Sequence, residues 1–127
     1  KFAESIFQGK EIKLFGQNGG VRNFTYIDDL VHQLIQLVNR SKEIDYKVLN
    51  ISAGNPISTL DILNRIQNEL KPKIADIRIV ERPKYDVEIT WADNSKAKLL
   101  GIDIKVTEFE VGIKKFIDWY KGFEFKA

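Results

Sequence analysis

Apolar residues recur every three or four positions in three stretches of the chain, which places them on one face of an α-helix. The first predicted helix covers residues 29–40. Ser58 and Asp61 form a capping box that opens the second helix, and Thr107 and Glu110 open the third in the same way. The apolar positions are Leu30, Val31, Leu34, Ile35 and Val38 in the first helix, Leu60, Leu63, Ile66 and Leu70 in the second, and Phe109, Ile113, Phe116, Ile117 and Tyr120 in the third.

Shorter elements fill the rest of the chain. Residues 1–8 are predicted to be the end of a helix that Gly9 stops, and Asp93 caps a short helix that Gly101 closes. Short strands are predicted at residues 11–15, 48–51 and 77–80. Such strands are too few for a self-contained sheet. We therefore expect some of them to pair outside this chain, with an edge and several apolar faces exposed, and we expect the isolated chain to associate.

Composition narrows the classes of function. With 127 residues, the chain suits one domain with a hydrophobic core. Its 20 basic and 18 acidic residues are interleaved and leave a net charge of +2, which disfavours a nucleic-acid-binding surface. Cysteine is absent and His32 is the single histidine, so disulfides and the usual zinc ligand sets are excluded; His32 is expected to be solvated. Trp91 and Trp119 lie in apolar surroundings and are expected to pack internally.

Membrane and export signals are also absent from the sequence. No apolar run approaches the roughly twenty residues that a membrane helix needs, and no charged-then-apolar leader opens the chain. A cytoplasmic protein is therefore expected.

A glycine-rich loop precedes a short predicted strand that carries Arg22. In residues 15–31, FGQNGGVRNFTYIDDLV, the glycines allow backbone conformations that are closed to other residues. A guanidinium at a strand edge can bind a phosphate or a carboxylate through two parallel hydrogen bonds. From the residues alone, the alternative is a surface ion pair with a nearby acid such as Asp28. Asp28 and Asp29 themselves are explained as acids at a helix start rather than as a general acid and base.

These residues resemble a known family. The segment RNFTYIDDLV is similar to one in the extended short-chain dehydrogenases/reductases, the NAD-dependent nucleotide-sugar epimerases and dehydratases. Three further blocks follow in the family's order and at about its spacing: VLNISAGNPISTLDI, ERPKYDVEITWADNSKAKLLGI and EVGIKKFIDWY. The resemblance covers nearly the whole chain and points to the carboxy-terminal part of such enzymes. It implies an α/β fold: a small mixed substrate-binding lobe, with several helices and short strands, that packs on a Rossmann-type domain.

The resemblance also implies where a nucleotide sugar binds. Arg22 and Arg82 match arginines that contact the substrate diphosphate in the family, and Asp86 matches an acid that often contacts a ribose hydroxyl. Arg82 and Asp86 are one residue further apart than in the common form of that motif. Lys13 and Phe15 lie on the strand that presents backbone groups to the nucleotide base, and the Phe15 side chain is expected in the core. From the residues alone, the Arg82 segment would be a basic surface loop.

Two features of the family are absent from this sequence. It contains neither the Gly-x-x-Gly-x-x-Gly turn that binds NAD nor a Tyr-x-x-x-Lys catalytic pair. We therefore expect residues 1–127 to be the nucleotide-sugar-binding lobe of a longer NAD-dependent isomerase, a UDP-sugar 4-epimerase, with no catalytic residue, NAD or metal in this chain.

The expected partners follow from this assignment. They are a nucleotide-diphosphate sugar and the Rossmann-type lobe of the same enzyme. Binding to nucleic acid or to a membrane is not expected, and the sequence leaves open whether the protein forms a homo-oligomer. The alternatives are a dehydratase or decarboxylase of the same family, and a non-catalytic protein-interaction module.

Overall fold

The computed structural model describes residues 1–45, 47–53 and 55–124. Residues 46, 54 and 125–127 of the predicted domain therefore lie outside the described residues. The helices are α1 (Phe2–Gln8), α2 (Ile27–Asn39), α3 (Ser41–Ile44), α4 (Thr59–Glu69), α5 (Ser95–Leu99) and α6 (Phe109–Glu124). The strands are β1 (Glu11–Phe15), β2 (Val21–Asn23), β3 (Pro56–Ser58), β4 (Asp76–Val80) and β5 (Ile89–Thr90). The prediction of several helices with short strands is confirmed.

The described strands form two small sheets. β1 pairs in parallel with β4, with Ile12 opposite Ile77 and Leu14 opposite Ile79. In the other sheet, β2 lies between β3, which runs antiparallel to it, and β5, which runs parallel. The strand predicted at 48–51 does not form within this chain: described residues 47–53 contain no strand, and Val48 is 83% exposed. Its expected pairing outside this chain stays a prediction. An apolar run becomes a strand only where another strand completes its hydrogen bonds, and none of the described strands pairs with this segment.

The main core lies between β1 and the helices α1, α4 and α6. Alternation along β1 points Ile12 and Leu14 inward and leaves Lys13 and Phe15 on the outer side. The fully packed members of this core are Ala3, Ile6, Ile12, Leu14, Ile62, Leu63, Ile66, Leu70 and Ile117. Full burial of such a branched side chain contributes about 1.5 to 3 kcal/mol. A second, smaller core joins Ile44, Ala97 and Ile102.

The helix ends follow their sequence signals in part. The Ser58 hydroxyl accepts a hydrogen bond from the Asp61 amide at 3.0 Å, so the predicted cap of α4 is confirmed. Gly9 ends α1 in the left-handed conformation, with φ of 64°. The predicted cap at Thr107 is wrong: α6 begins at Phe109, and the Thr107 hydroxyl donates to a carboxylate on α2 instead.

Two tryptophans that the sequence analysis places in the interior lie on the surface. Trp91 and Trp119 are 65% and 62% exposed, so their predicted internal packing is wrong. Trp119 instead stacks on Phe123 along α6, with 5.8 Å between the ring centroids. No helix among the described residues is long and apolar enough to cross a membrane.

Helix α2 turns its polar side inward. Asp29 and Gln33 are buried, whereas four of the five residues of the predicted apolar stripe are exposed and the fifth, Leu30, is partly buried. The exposed fractions are 43% for Val31, 44% for Leu34, 55% for Ile35 and 71% for Val38. We call these four residues the α2 apolar face. The expectation of an uncovered apolar face is therefore confirmed.

Candidate functional site

Two loops lie side by side where the two sheets adjoin. Residues 16–20 connect β1 to β2, and residues 81–88 connect β4 to β5. Because β1 is parallel to β4 and β2 is parallel to β5, both loops run from the first sheet to the second in the same direction. This topology brings Arg22 and Arg82 together, although they are distant in sequence.

Arg22 is bonded on several sides by its own chain. Its Nη1 donates to the Val21 carbonyl and the Glu88 carbonyl, both at 2.9 Å. Its Nη2 donates to the Val87 carbonyl at 2.7 Å and to Asp86 Oδ1 at 3.2 Å. The ion-pair partner of Arg22 is thus Asp86, and not Asp28, the nearby acid that the residues alone suggested.

Arg82 and Asp86 complete a three-residue cluster, which we call the arginine–carboxylate cluster. Arg82 Nη1 donates to Asp86 Oδ2 at 2.9 Å, so each oxygen of this carboxylate accepts from a different arginine. The side chains of Arg22, Asp86 and Arg82 are 27%, 32% and 19% exposed. Two cations and one anion leave the cluster with a surplus positive charge in a partly desolvated place, which favours binding of an anion.

The glycines of residues 16–20 make room for this cluster. A Cβ atom on Gly20 would lie 2.8 Å from Arg22 Nη1 and 3.1 Å from Arg82 Nη1. A Cβ atom on Gly16 would lie 3.1 Å from Arg82 Nη2. Both glycines have positive φ, 82° and 74°, which other residues rarely adopt. The loop therefore brings backbone against the guanidinium groups where a side chain would collide with them.

The remaining candidate residues, Lys13 and Phe15, lie on β1. Both side chains are on the outer side of the strand, and Phe15 is 44% exposed, so its predicted place in the core is wrong. The alternation that buries Leu14 necessarily turns Phe15 outward. Among the described strands, β1 pairs only with β4, which leaves one backbone edge of β1 open.

Other titratable residues make contacts outside the arginine–carboxylate cluster. Asp29 is buried and accepts hydrogen bonds from the Thr107 amide and hydroxyl, so it joins α2 to the start of α6. Desolvation, with the charge of Asp28 and a hydrogen bond to it, raises the pKa of Tyr26. His32 is exposed and contacts Asp103 at 3.2 Å, as expected for a solvated histidine.

Some partners of the cluster could not be found from sequence. The Val87 and Glu88 carbonyls hold Arg22, and a carbonyl leaves no trace in the identity of its residue. A cavity of about 790 Å³ between α1, α4 and α6 was also missed. Phe24 and Phe109, in edge-to-face contact, line it with the Arg65–Glu110 ion pair.

Comparison with known proteins identifies what the chain is similar to. No family model matches it. It is 37% identical over 123 residues to the UDP-glucuronate 4-epimerase of Thermodesulfobacterium geofontis, an alignment that covers 95% of this chain and 36% of that protein. It is 31% identical over 138 residues to UDP-glucuronate 4-epimerase 3 of Arabidopsis thaliana, covering 96% of this chain and 32% of that one.

A solved structure agrees with these relatives. The UDP-glucuronic acid 4-epimerase from Bacillus cereus, in complex with UDP-glucuronic acid and NAD, superimposes with a TM-score of 0.81 at 27% identity. The superposition covers 96% of this chain and 38% of that one. The relatives and structural neighbours include 4-epimerases and other NAD-dependent epimerases and dehydratases of the extended short-chain dehydrogenase/reductase family, and the match is to the carboxy-terminal part of such an enzyme. The chain spans about a third of the length of the curated relatives it matches.

Proposed function

We propose that this chain is the nucleotide-sugar-binding part of an NAD-dependent UDP-sugar 4-epimerase. The observation that carries the proposal is the arginine–carboxylate cluster, which gathers Arg22 and Arg82 over a loop in which Gly16 and Gly20 have positive φ. Its surplus positive charge suits a diphosphate. The identity to UDP-glucuronate 4-epimerases makes UDP-glucuronate the first sugar nucleotide to test, and UDP-glucose the second.

The site divides into two regions under this proposal. The diphosphate faces the cluster, where fixed guanidinium groups supply directed hydrogen bonds. The nucleotide base lies along the open edge of β1 near Lys13 and Phe15, where backbone amide and carbonyl groups can pair with it. The sugar then projects away from the chain described here. The contribution of this part is to hold the reactive sugar carbon in place, while NAD and the catalytic residues belong to the remainder of the enzyme.

The α2 apolar face gives the proposed enzyme a surface between its parts. Four adjacent aliphatic side chains on a helix whose inner side is polar are unfavourable in water. This chain covers only about a third of the length of its relatives, and the structural neighbour from Bacillus cereus binds NAD. We propose that the NAD-binding part covers this face. The alternatives are that a second copy of this chain covers the α2 apolar face, or that another protein does so if the chain is a non-catalytic interaction module.

Binding and product analysis test the proposal in the complete enzyme. Calorimetry should give an affinity for UDP at least about tenfold above that for uridine, because the cluster contacts only the phosphates. Incubation with UDP-glucuronate should yield the 4-epimer with neither loss of water nor release of carbon dioxide, which separates an epimerase from a dehydratase or decarboxylase. Equal affinity for UDP and uridine would contradict the assignment of the cluster. The cytoplasmic location stays a prediction.

A further inference from the structure

The cavity between α1, α4 and α6 lies at the amino-terminal end of α1. From the first segment of the chain, the residues that line it are Lys1, Phe2 and Ala3, at the start of that helix. We infer that, in the complete enzyme, the polypeptide preceding Lys1 continues α1 as a helix and fills this cavity with apolar side chains. The inference rests on the proposed function only in taking this chain as the carboxy-terminal part of a longer enzyme.

The walls of the cavity are apolar in large part. Ile62 and Ile66 line it and are buried members of the main core. Phe24, Ile27 and Phe116 also line it, and these side chains are 41%, 60% and 39% exposed. Contact between water and a concave apolar surface of this kind is unfavourable. The cavity therefore favours an occupant that presents apolar side chains to it.

Much of the polar lining is already engaged by this chain. Arg65 pairs with Glu110, and Thr25 Oγ1 accepts from the Ala53 amide at 3.1 Å. Thr107 bonds the buried carboxylate on α2. Among the described residues, no buried side-chain nitrogen or oxygen that lacks a hydrogen-bond partner lines the cavity. A small polar ligand would find few partners to orient it, whereas a helix satisfies its backbone groups within itself.

The first turn of α1 presents amides that a continuing helix would use. The first helical hydrogen bond runs from the Ser5 amide to the Lys1 carbonyl at 2.9 Å. The amides of Phe2, Ala3 and Glu4 therefore have no acceptor within α1, and a lysine side chain has no acceptor with which to cap them. One further turn would supply the carbonyls, because a helical amide donates to the residue four positions before it. That turn would lie in the cavity, since the start of α1 lines it.

The relatives contain polypeptide at the position that this arrangement requires. The alignment with the Thermodesulfobacterium geofontis protein covers 95% of this chain but 36% of that protein, and the match is to its carboxy-terminal part. In such an enzyme a long stretch of chain enters at the position of Lys1. A segment attached at the cavity wall has a high effective concentration there, whereas a second molecule must bind from solution. The covalently attached segment is therefore the favoured occupant.

Site-specific photo-crosslinking in the complete enzyme identifies the occupant. Phe24→p-benzoylphenylalanine places a photoreactive ring on the cavity wall, and Phe116→p-benzoylphenylalanine places one on the α6 side in case the first variant folds poorly. After irradiation, mass spectrometry should find each probe joined to the segment within about ten residues before Lys1, a length of roughly 15 Å as a helix. Phe123→p-benzoylphenylalanine is the matched control: Phe123 is an exposed aromatic residue of α6 that does not line the cavity, and its probe should not reach that segment.

Amide hydrogen exchange in the complete enzyme tests whether the occupant is helical. If α1 continues upstream, the amides of Ala3 and Glu4 gain acceptors from the preceding turn. Their exchange should then be at least about a hundredfold slower than the intrinsic rate of an unstructured peptide. If α1 begins at Phe2, these amides lack helical acceptors and should exchange near the intrinsic rate.

Two results would overturn the inference. One is failure of both cavity probes to reach the segment preceding Lys1, whether they join a distant part of the NAD-binding region, a second molecule of the enzyme or nothing. The other is exchange of the Ala3 and Glu4 amides near the intrinsic rate. Neither measurement depends on UDP or on turnover. An enzyme that fails to epimerise UDP-glucuronate would therefore defeat the proposed function, while the crosslinks and the exchange rates would still decide what fills the cavity.

Discussion

Asp29 provides the sharpest test of how this fold is held together. Its carboxylate is 1% exposed and accepts from the Thr107 amide at 2.6 Å and from the Thr107 hydroxyl at 2.8 Å. These bonds tie the first turn of α2 to the segment that leads into α6. Asp29→Ala removes both bonds and leaves the Thr107 amide without this acceptor.

The magnitude follows from the type of bond. A hydrogen bond to a charged group contributes about 1.5 to 3 kcal/mol, so two give about 3 to 6 kcal/mol. Thr107 is only partly buried, and water can replace part of what it loses, so we expect the lower end of this range. A loss of about 3 kcal/mol would lower Tm by roughly 10 °C for a domain of this size. Asp29→Asn retains one acceptor oxygen and should lose about half as much free energy.

Urea unfolding followed by circular dichroism measures these losses directly. Asp28→Asn is the matched control, because Asp28 is the adjacent acid in the same turn but is exposed, and it should change stability by less than about 0.5 kcal/mol. Equal losses for the Asp28 and Asp29 variants would mean that both act through their position at the helix start. The bonds to Thr107 would then contribute nothing specific.

Three further predictions concern separate features. Ser58→Ala should destabilise the protein by about 1 kcal/mol through loss of the α4 cap, and an unchanged urea midpoint would argue against that contribution. Ile35→Lys should reduce self-association of the 127-residue chain, measured by sedimentation, and its binding of a hydrophobic dye, measured by fluorescence. No change in either would indicate that the chain does not associate through the α2 apolar face. The same chain should bind no NAD in a fluorescence titration, because it lacks the glycine turn; saturable binding would contradict this.

The sequence predicts local structure best where the signal is itself local. The capping pair Ser58 and Asp61 defines the start of α4, and Gly9 defines the end of α1. The strand predicted at residues 11–15 is confirmed as β1. In each case the physical cause lies within a few residues of its effect, so a single sequence contains it.

The sequence predicts less where a distant segment decides the outcome. The apolar run at 48–51 lacks a strand partner among the described residues, and Thr107 bonds Asp29, a residue 78 positions away, rather than capping α6. The glycine loop and Arg22 mark the site in the sequence. Nothing local, however, indicates that Asp86, 64 residues away, joins Arg22 to Arg82. That contact depends on the parallel pairing of strands, which only the tertiary structure reveals.

The side-by-side course of the two loops has a thermodynamic consequence. An anion bound by the cluster would add a reversible link between two stretches of chain that are far apart in sequence, since Arg22 and Asp86 are 64 residues apart. Because it binds only when both stretches are assembled, a ligand at a hundred times its Kd would stabilise the native state by about 2.7 kcal/mol. Contacts of such long sequence separation also slow folding. The supply of the sugar nucleotide would therefore affect the stability of the folded protein as well as the occupancy of its site.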